Sequence, residues 1–535
     1  MAVGETRVFV PIGSVKSRPT VVVGSGPAGA ACASALAAAG VVPLVLDGGA
    51  QLEPARVAAV PSLLDARSGG PGAALLEELR ASFPVGAAEL PLKPAFGSLY
   101  PYAPEEVRGS AAAVPSLGVG GLSSVWGGAM LPYGKREHEG WPFGPERLAQ
   151  HYRSVLSFVP LAGEADGLAT RFPLYVDDPR VVEPTPQVAS FLGDLAAGAS
   201  RLAARRTLAG RSRLALWTRS NPHGRPCERL GLCLVGCPNH AIYNTAFTIE
   251  GLARSGKVSY RSGAVVRSVE TRGDAVLLRL HGGEEILAER VFLAAGPLGT
   301  TRIALASLGL YDQPVRLRDS AYFTMPLLRL ASGGRVGAES AGLTLAQAFV
   351  EIDDPDVSPR NVHLQVYGFN DLMLRAAAAK LRLSERHVER LLQPVLARLL
   401  YVQGYLHSDL SPGIDARLVR DPEGDKLVVD DTRSPNPRPA VRRVVDHLRT
   451  LRGVLRAEPA APLLQVWPAG KGFHFGGSFP MRERPRDLET DILGRLPSFE
   501  RVHLVDSSVF PTVPALTITL AAMANAHRIA HEVVG

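Results

Sequence analysis

Three groups of residues in this 535-residue chain have types and spacing suited to chemistry. The first is Thr20-Val-Val-Val-Gly-Ser-Gly-Pro-Ala-Gly29, followed by an Ala-rich run to Gly40 and an apolar stretch, Val41 to Asp47. It reads as strand, glycine turn, helix, strand. Gly24 lets the chain leave the strand sharply, Gly26 lets backbone approach a pyrophosphate, and Gly29 lets the helix pack close to the sheet. Asp47 lies 18 residues past Gly29, at the end of the second strand, where an acid accepts hydrogen bonds from a ribose diol. Such a unit binds a dinucleotide, and by itself it does not separate FAD from NAD.

The second group is Lys471-Gly-Phe-His474-Phe-Gly-Gly-Ser, a histidine in a glycine-rich loop. By itself His474 reads as a structural histidine. It is followed by Val502-His-Leu-Val-Asp506-Ser507-Ser-Val-Phe510-Pro511, a strand ending in an acid and turn residues. A helix over 515–534 then begins near Thr517 or Thr519. The third group is Cys227-Glu-Arg-Leu-Gly-Leu-Cys233-Leu-Val-Gly-Cys237-Pro238. It resembles a bacterial ferredoxin run with Leu230 in place of the second cysteine. Three thiolates would suit a three-iron cluster, and the plainer reading is a loop of buried, inert thiols.

Other elements must position these groups. Ser116-Leu-Gly-Val-Gly-Gly-Leu-Ser-Ser-Val-Trp-Gly-Gly-Ala129 holds five glycines around Trp126, so its backbone is able to lie against a planar ligand or another segment. Trp141-Pro-Phe-Gly-Pro145 opens a helix through His151 and Tyr152. From Val258 to Gly299 the pattern is β, ending in a buried strand, a turn at Gly296 and a helix start, which puts Gly296 at the ligand-binding edge of a doubly wound sheet. Between about 310 and 465 the sheet signature lapses. Leu381, Val388, Leu391, Leu392, Val395, Leu396, Leu399 and Leu400 there predict one amphipathic helix, kinked at Pro394. Its basic face (Arg375, Lys380, Arg382, Arg386, Arg390, Arg398) reads as the solvated side of an outer helix, with membrane docking the lesser reading.

Composition sets the outer bounds. At 46% hydrophobic and 20% charged, the chain can bury a large core. Its net charge of +7 is spread out with no basic block, so nucleic acid is not an expected partner. The uncharged stretches 20–46 and 109–134 are studded with Gly, Ser and Pro and do not read as membrane spans. Met1–Thr20 lacks the form of a secretory signal, and four cysteines make no disulfide framework, so the cytoplasm is the expected compartment.

Several ordered blocks together resemble the glucose–methanol–choline (GMC) flavin oxidoreductases: the N-terminal G-x-G-x-x-G; Val119-Gly-Gly-Leu-Ser-Ser-Val-Trp-Gly-Gly; Trp141-Pro; Cys233-x3-Cys-Pro; Ala294-Ala-Gly-x3-Thr; His474-x2-Gly; and Asp506-Ser-Ser-Val-Phe-Pro. The resemblance implies an α/β fold in which a Rossmann-type FAD-binding domain (15–155, 226–312, 471–535) is interleaved with an α+β substrate domain built on an antiparallel sheet (156–225, 313–470). It implies FAD, with contacts from Gly24, Gly26, Gly29, Asp47, Gly120, Gly121, Ser124, Trp126, Gly127, Val266, Ala295, Gly296, Asp506, Ser507, Phe510 and Thr519. It also implies a small-molecule alcohol oxidised by hydride transfer to the flavin, with His474 as base; an imidazole suits this because its pKa lies near working pH. An electron-acceptor partner stays open.

Two departures from the family pattern stand out. Thr517 takes the place of the family's Asn or second His, and its hydroxyl can bond a substrate oxygen but cannot act as a base. Val125 stands where a histidine attaches the flavin covalently in some members, so FAD is expected to be non-covalent. Two alternatives remain: electron transfer through a cluster at Cys227, Cys233 and Cys237, and a non-redox flavin-bound lyase.

Overall fold

A computed structural model describes residues 18–81, 106–331, 336, 342–422 and 424–535. Most of Met1–Thr20, the start of segment 15–155 and residues 82–105 within it fall outside them. Among the described residues no helix is long and apolar enough to cross a membrane.

The first glycine turn sits on a five-stranded parallel sheet. In spatial order its strands are Val502–Leu504, Arg290–Leu293, Thr20–Val23, Leu44–Leu46 and Ser259–Arg261. Val21, Val22, Leu46, Val291, Phe292 and Leu504 are fully buried, as strands covered on both faces must be. Helix Pro27–Ala38 is alanine-rich because it packs tightly against both the sheet and the final helix, Thr519–Val534. Gly29 has no room for a side chain: a Cβ there would lie 1.9 Å from the Gly24 carbonyl oxygen. An antiparallel three-stranded sheet (Val266–Arg272, Ala275–Leu280, Glu285–Ala288) follows, as its alternation predicts.

Where the sequence analysis found a lapse, the structure has a sheet. The strands Ala457–Pro459, Tyr322–Arg329, Leu399–Leu406, Val362–Tyr367, Ala348–Ile352 and Thr207–Arg211 lie in that order, all antiparallel, with Gln465–Val466 as the seventh strand, beside Tyr322–Arg329. One face is apolar. Phe323, Met325, Val350, Leu364, Val366, Leu400 and Val402 pack under helices Pro186–Ala197 and Arg438–Thr450. The alternate residues are Tyr322, Thr324, Glu351, His363, Gln365, Tyr367, Tyr401, Gln403 and Tyr405, and side chains of period two must point the other way. This is the antiparallel sheet that the family resemblance implies for 156–225 and 313–470; its strands lack an alternation signal because that face is polar yet covered.

The predicted single helix is two, Asp371–Leu381 and Glu385–Leu396. Arg382 ends the first in a left-handed conformation and the Ser384 side chain caps the second. Leu399 and Leu400 belong to a strand, drawn there by seven-stranded pairing, and Pro394 sits in the last turn of the second helix.

A further five-stranded sheet joins Phe475–Gly476, Val315–Asp319, Ile414–Val419, Lys426–Asp431 and Val107–Arg108. It brings the loop carrying His474 against residues from the middle of the chain.

Candidate functional site

One cavity of about 760 Å³ runs between the parallel sheet and the polar face of the seven-stranded sheet. The first turn contributes Gly24, Ser25, Gly26 and Pro27, and the strand ends contribute Asp47, Val266, Ala295 and Gly296. Gly121, Trp126 and Gly127 come from the second glycine-rich element, and Lys471, His474, Asp506, Ser507, Thr517, Ile518 and Thr519 from the tail. Tyr322, Gln365, Tyr367, Gln403 and Tyr405 close the opposite side.

The parallel-sheet side is built for close backbone approach. Gly24 holds φ +104°, and a Cβ there would sit 2.5 Å from the Ala294 carbonyl oxygen, so the turn exists only with glycine. Gly26 precedes the helix Pro27–Ala38, whose first N–H groups have no partners within the helix and open on the cavity. A second helix start, at Thr519, lines the same cavity, so two positive dipole ends meet there.

Asp47 lines the cavity and is also bonded within the protein. Its carboxylate accepts from the Ser25 N–H (3.1 Å), the Ser25 hydroxyl (2.7 Å) and the Tyr260 hydroxyl (2.9 Å), with the Gly49 N–H as a fourth donor. A carboxylate offers about four acceptor sites, so none is idle for a ribose unless a protein donor gives way. Burial raises its pKa against these four hydrogen bonds. Ser25, which the sequence analysis passed over, also accepts the Gly120 N–H (2.8 Å), buckling the two glycine elements together. Its position inside G-x-G was the available signal.

Four expected contacts stand behind the wall rather than in it. Gly29 is packed on Gly24; Gly120 makes a left-handed turn against Asn244; Ser124 turns its hydroxyl to the Gly121 carbonyl (2.8 Å). Phe510 lies in an aromatic cluster with Tyr133 and Trp141. In each case the side chain, or its absence, is consumed by packing.

The tail is tied down at many points. Asp506 accepts from the Thr300 hydroxyl, the Ser508 N–H (2.9 Å) and the Gly296 N–H. The Ser507 hydroxyl donates to the Phe475 carbonyl (3.0 Å). Gly476 lies so close to Ser507 that a Cβ would meet its carbonyl oxygen at 2.2 Å. The Ser320 N–H donates to the His474 carbonyl (2.9 Å). His474 is therefore held on both sides.

Its ring stacks on Tyr405, with centroids 4.6 Å apart, and Nδ1 has no hydrogen-bond partner among the described residues. Burial, with a smaller contribution from His363, pushes its pKa down to about 3, well away from the working-pH value expected of it. The imidazole is thus a neutral acceptor at neutral pH. The Thr517 oxygen accepts the Leu131 N–H (3.0 Å), which leaves its own O–H to donate elsewhere.

Cys227, Cys233 and Cys237 are reduced thiols packed with Leu214, Leu216 and Leu345. Burial lifts Cys227 to about 12, opposite to the thiolate that a cluster needs. Among the described residues no three His, Cys, Asp or Glu side chains are arranged to hold a metal. Cys233 is buried in this loop, while Cys227 and Cys237 are half-buried at its edge.

The whole chain has the fold of two solved proteins. Pyridoxine 4-oxidase from Mesorbium loti superimposes with a TM-score of 0.60 at 14% identity, over 96% of this chain and 99% of that one. An Arg-to-Ala variant of formate oxidase from Aspergillus oryzae RIB40, a protein studied for FAD modification, gives 0.58 at 14% identity over 98% and 100%. Both are GMC-family FAD oxidoreductases, so the fold expected from the sequence blocks is the fold observed. No protein-family model and no curated protein sequence matches the chain.

Proposed function

We propose that this chain is an FAD-dependent oxidoreductase that oxidises an alcohol carbon, with His474 receiving the hydroxyl proton. The observation that carries this reading is the placement of a buried, neutral imidazole, whose Nδ1 has no partner among the described residues, and an anchored threonine hydroxyl in the same cavity as two helix N-termini and a glycine turn. The residues fit the cofactor. Gly24, Gly26 and the first turn of Pro27–Ala38 would hold its pyrophosphate, and Gly121, Trp126, Gly127, Ala295 and Gly296 would line its path. When bound, FAD supplies the hydride acceptor.

The chain does the rest. Neutral His474 accepts the proton through a ring nitrogen, and the burial that keeps it neutral also weakens it as a base. Thr517, its oxygen pinned by Leu131, donates its proton to the substrate oxygen and fixes the carbinol's orientation. The N-terminus of Thr519–Val534 favours negative charge in the cavity. Val125 in place of an attaching histidine supports non-covalent FAD. The segments 15–155, 226–312 and 471–535 form the cofactor part in this reading, and 156–225 with 313–470 the substrate part.

The test is an anaerobic screen of alcohols and polyols for bleaching of the bound flavin. His474→Ala should slow bleaching by about 10²–10⁴ with the flavin still bound. Loss of flavin from that variant would make His474 structural, and a substrate that is turned over without bleaching would point to non-redox chemistry.

A further inference from the structure

A line of hydrogen bonds runs from a fully buried carboxylate to the cavity wall opposite the glycine turn. Glu351 and His363 are both 0% exposed, with Glu351 Oε1 2.5 Å from His363 Nδ1; Glu351 Oε2 accepts from Asn361 Nδ2 (2.8 Å). His363 Nε2 lies 3.2 Å from Gln365 Nε2. The Tyr367 hydroxyl lies 2.8 Å from Gln365 Oε1 and 3.0 Å from the Gln403 amide atom assigned as Oε1, which the Tyr405 hydroxyl also approaches at 3.5 Å. Gln365, Tyr367, Gln403 and Tyr405 all line the cavity.

Counting protons gives this line a direction. A carboxylate only accepts, so His363 donates from Nδ1, and a neutral imidazole then accepts at Nε2. Gln365 then donates its amide N–H to His363, and its carbonyl receives the single Tyr367 proton. With that proton spent, the Gln403 amide atom facing Tyr367 must be a donor, its nitrogen; the two ends of an amide are interchangeable in shape. Every donor points toward Glu351, and the carbonyl oxygen of Gln403 is left for the cavity.

We propose that Gln403 determines specificity: oriented by Glu351 through His363, Gln365 and Tyr367, it offers a carbonyl oxygen to a second hydroxyl of the substrate. The substrate class is then a polyol rather than a monohydric alcohol. Glu351, His363 and Gln365 are positioning residues. This inference rests on the alcohol-oxidising reading above.

The test uses the FAD-loaded protein with its flavin chemically reduced, so that no turnover occurs. Calorimetry measures binding of glycerol against 1-propanol and of myo-inositol against cyclohexanol. The wild type should favour the polyol of each pair by about fivefold to tenfold, the worth of one neutral hydrogen bond. Gln403→Met should erase the preference, and Gln365→Met, which leaves the Glu351–His363 pair intact, should reduce it. Equal binding of both members, a preference that survives Gln403→Met, or tighter binding of cyclohexanone than of the polyols would overturn the inference; the last would mean that Gln403 presents its N–H. A chain that takes up no FAD fails before any titration, and that defeats the underlying reading and this inference with it.

Discussion

The two walls of the cavity solve the same problem in different ways. On the parallel-sheet side, strands covered on both faces leave no side chains to spare, so the surface offered to a ligand is backbone: glycine turns and helix N-termini. On the antiparallel side one face of the sheet is surrendered to the core, and the other presents Tyr322, Gln365, Tyr367, Gln403 and Tyr405. The first wall suits what every reaction here would share, and the second suits what distinguishes one substrate from another. Errors in the first should therefore be steric and severe, and errors in the second chemical and graded.

Gly29→Ala tests the severe side. Its Cβ would fall 1.9 Å from backbone, the Gly24 oxygen, which cannot swing away. We expect a loss of on the order of 3 kcal/mol, well above the helix propensity gained, together with loss of bound flavin. Normal flavin content in that variant would break the comparison.

Acid should ignore the division between walls. Burial pushes His474 down to about 3, and His151, His407, His503 and His527 to about 4. On unfolding these side chains return toward 6.5, so between pH 6.5 and 4 the unfolded chain binds protons that the folded chain refuses. Their contribution is complete above about 6.5 and drains away as pH falls. Melting scans at pH 7.5, 6 and 5 should show Tm dropping at each step; a flat Tm would mean the histidines are hydrated.

Gly404→Ala is the counterpart in the seven-stranded sheet. Its Cβ would meet the Phe323 ring at 2.1 Å, and a side chain in the apolar core can yield where backbone cannot. A cost of about 1–3 kcal/mol with flavin retained is expected from denaturant titration, and a flavin-free product would contradict the contrast. Thr517→Val should cost a similar amount, about 1–3 kcal/mol, because it strands the Leu131 N–H. Its larger signature should be kinetic: a raised KM from the lost hydroxyl donor, read in the same substrate screen.

Much of the cofactor-side wall was legible before any coordinates. Gly24 and Gly296 answer to local demands: a turn with positive φ needs glycine whatever the rest of the molecule does. The loop of His474 and the Asp506–Phe510 block were legible for a similar reason, since each pairs turn residues with one conspicuous functional group. Asp47 shows where local reading stops. Besides its neighbour Gly49, it accepts from Ser25 and Tyr260, which lie elsewhere in the chain.

The linear order of residues determined the strand–glycine turn–helix unit, the candidate base and the order of the glycine-rich blocks, because short-range backbone geometry and side-chain type are written one position at a time. Tertiary structure alone decided that His474 is neutral far into acid, that Phe510 belongs to the core, and that Gln365 and Gln403 stand side by side on the cavity. Burial, acceptor counting and cross-strand register depend on segments far apart in the chain, and no single window of residues contains them.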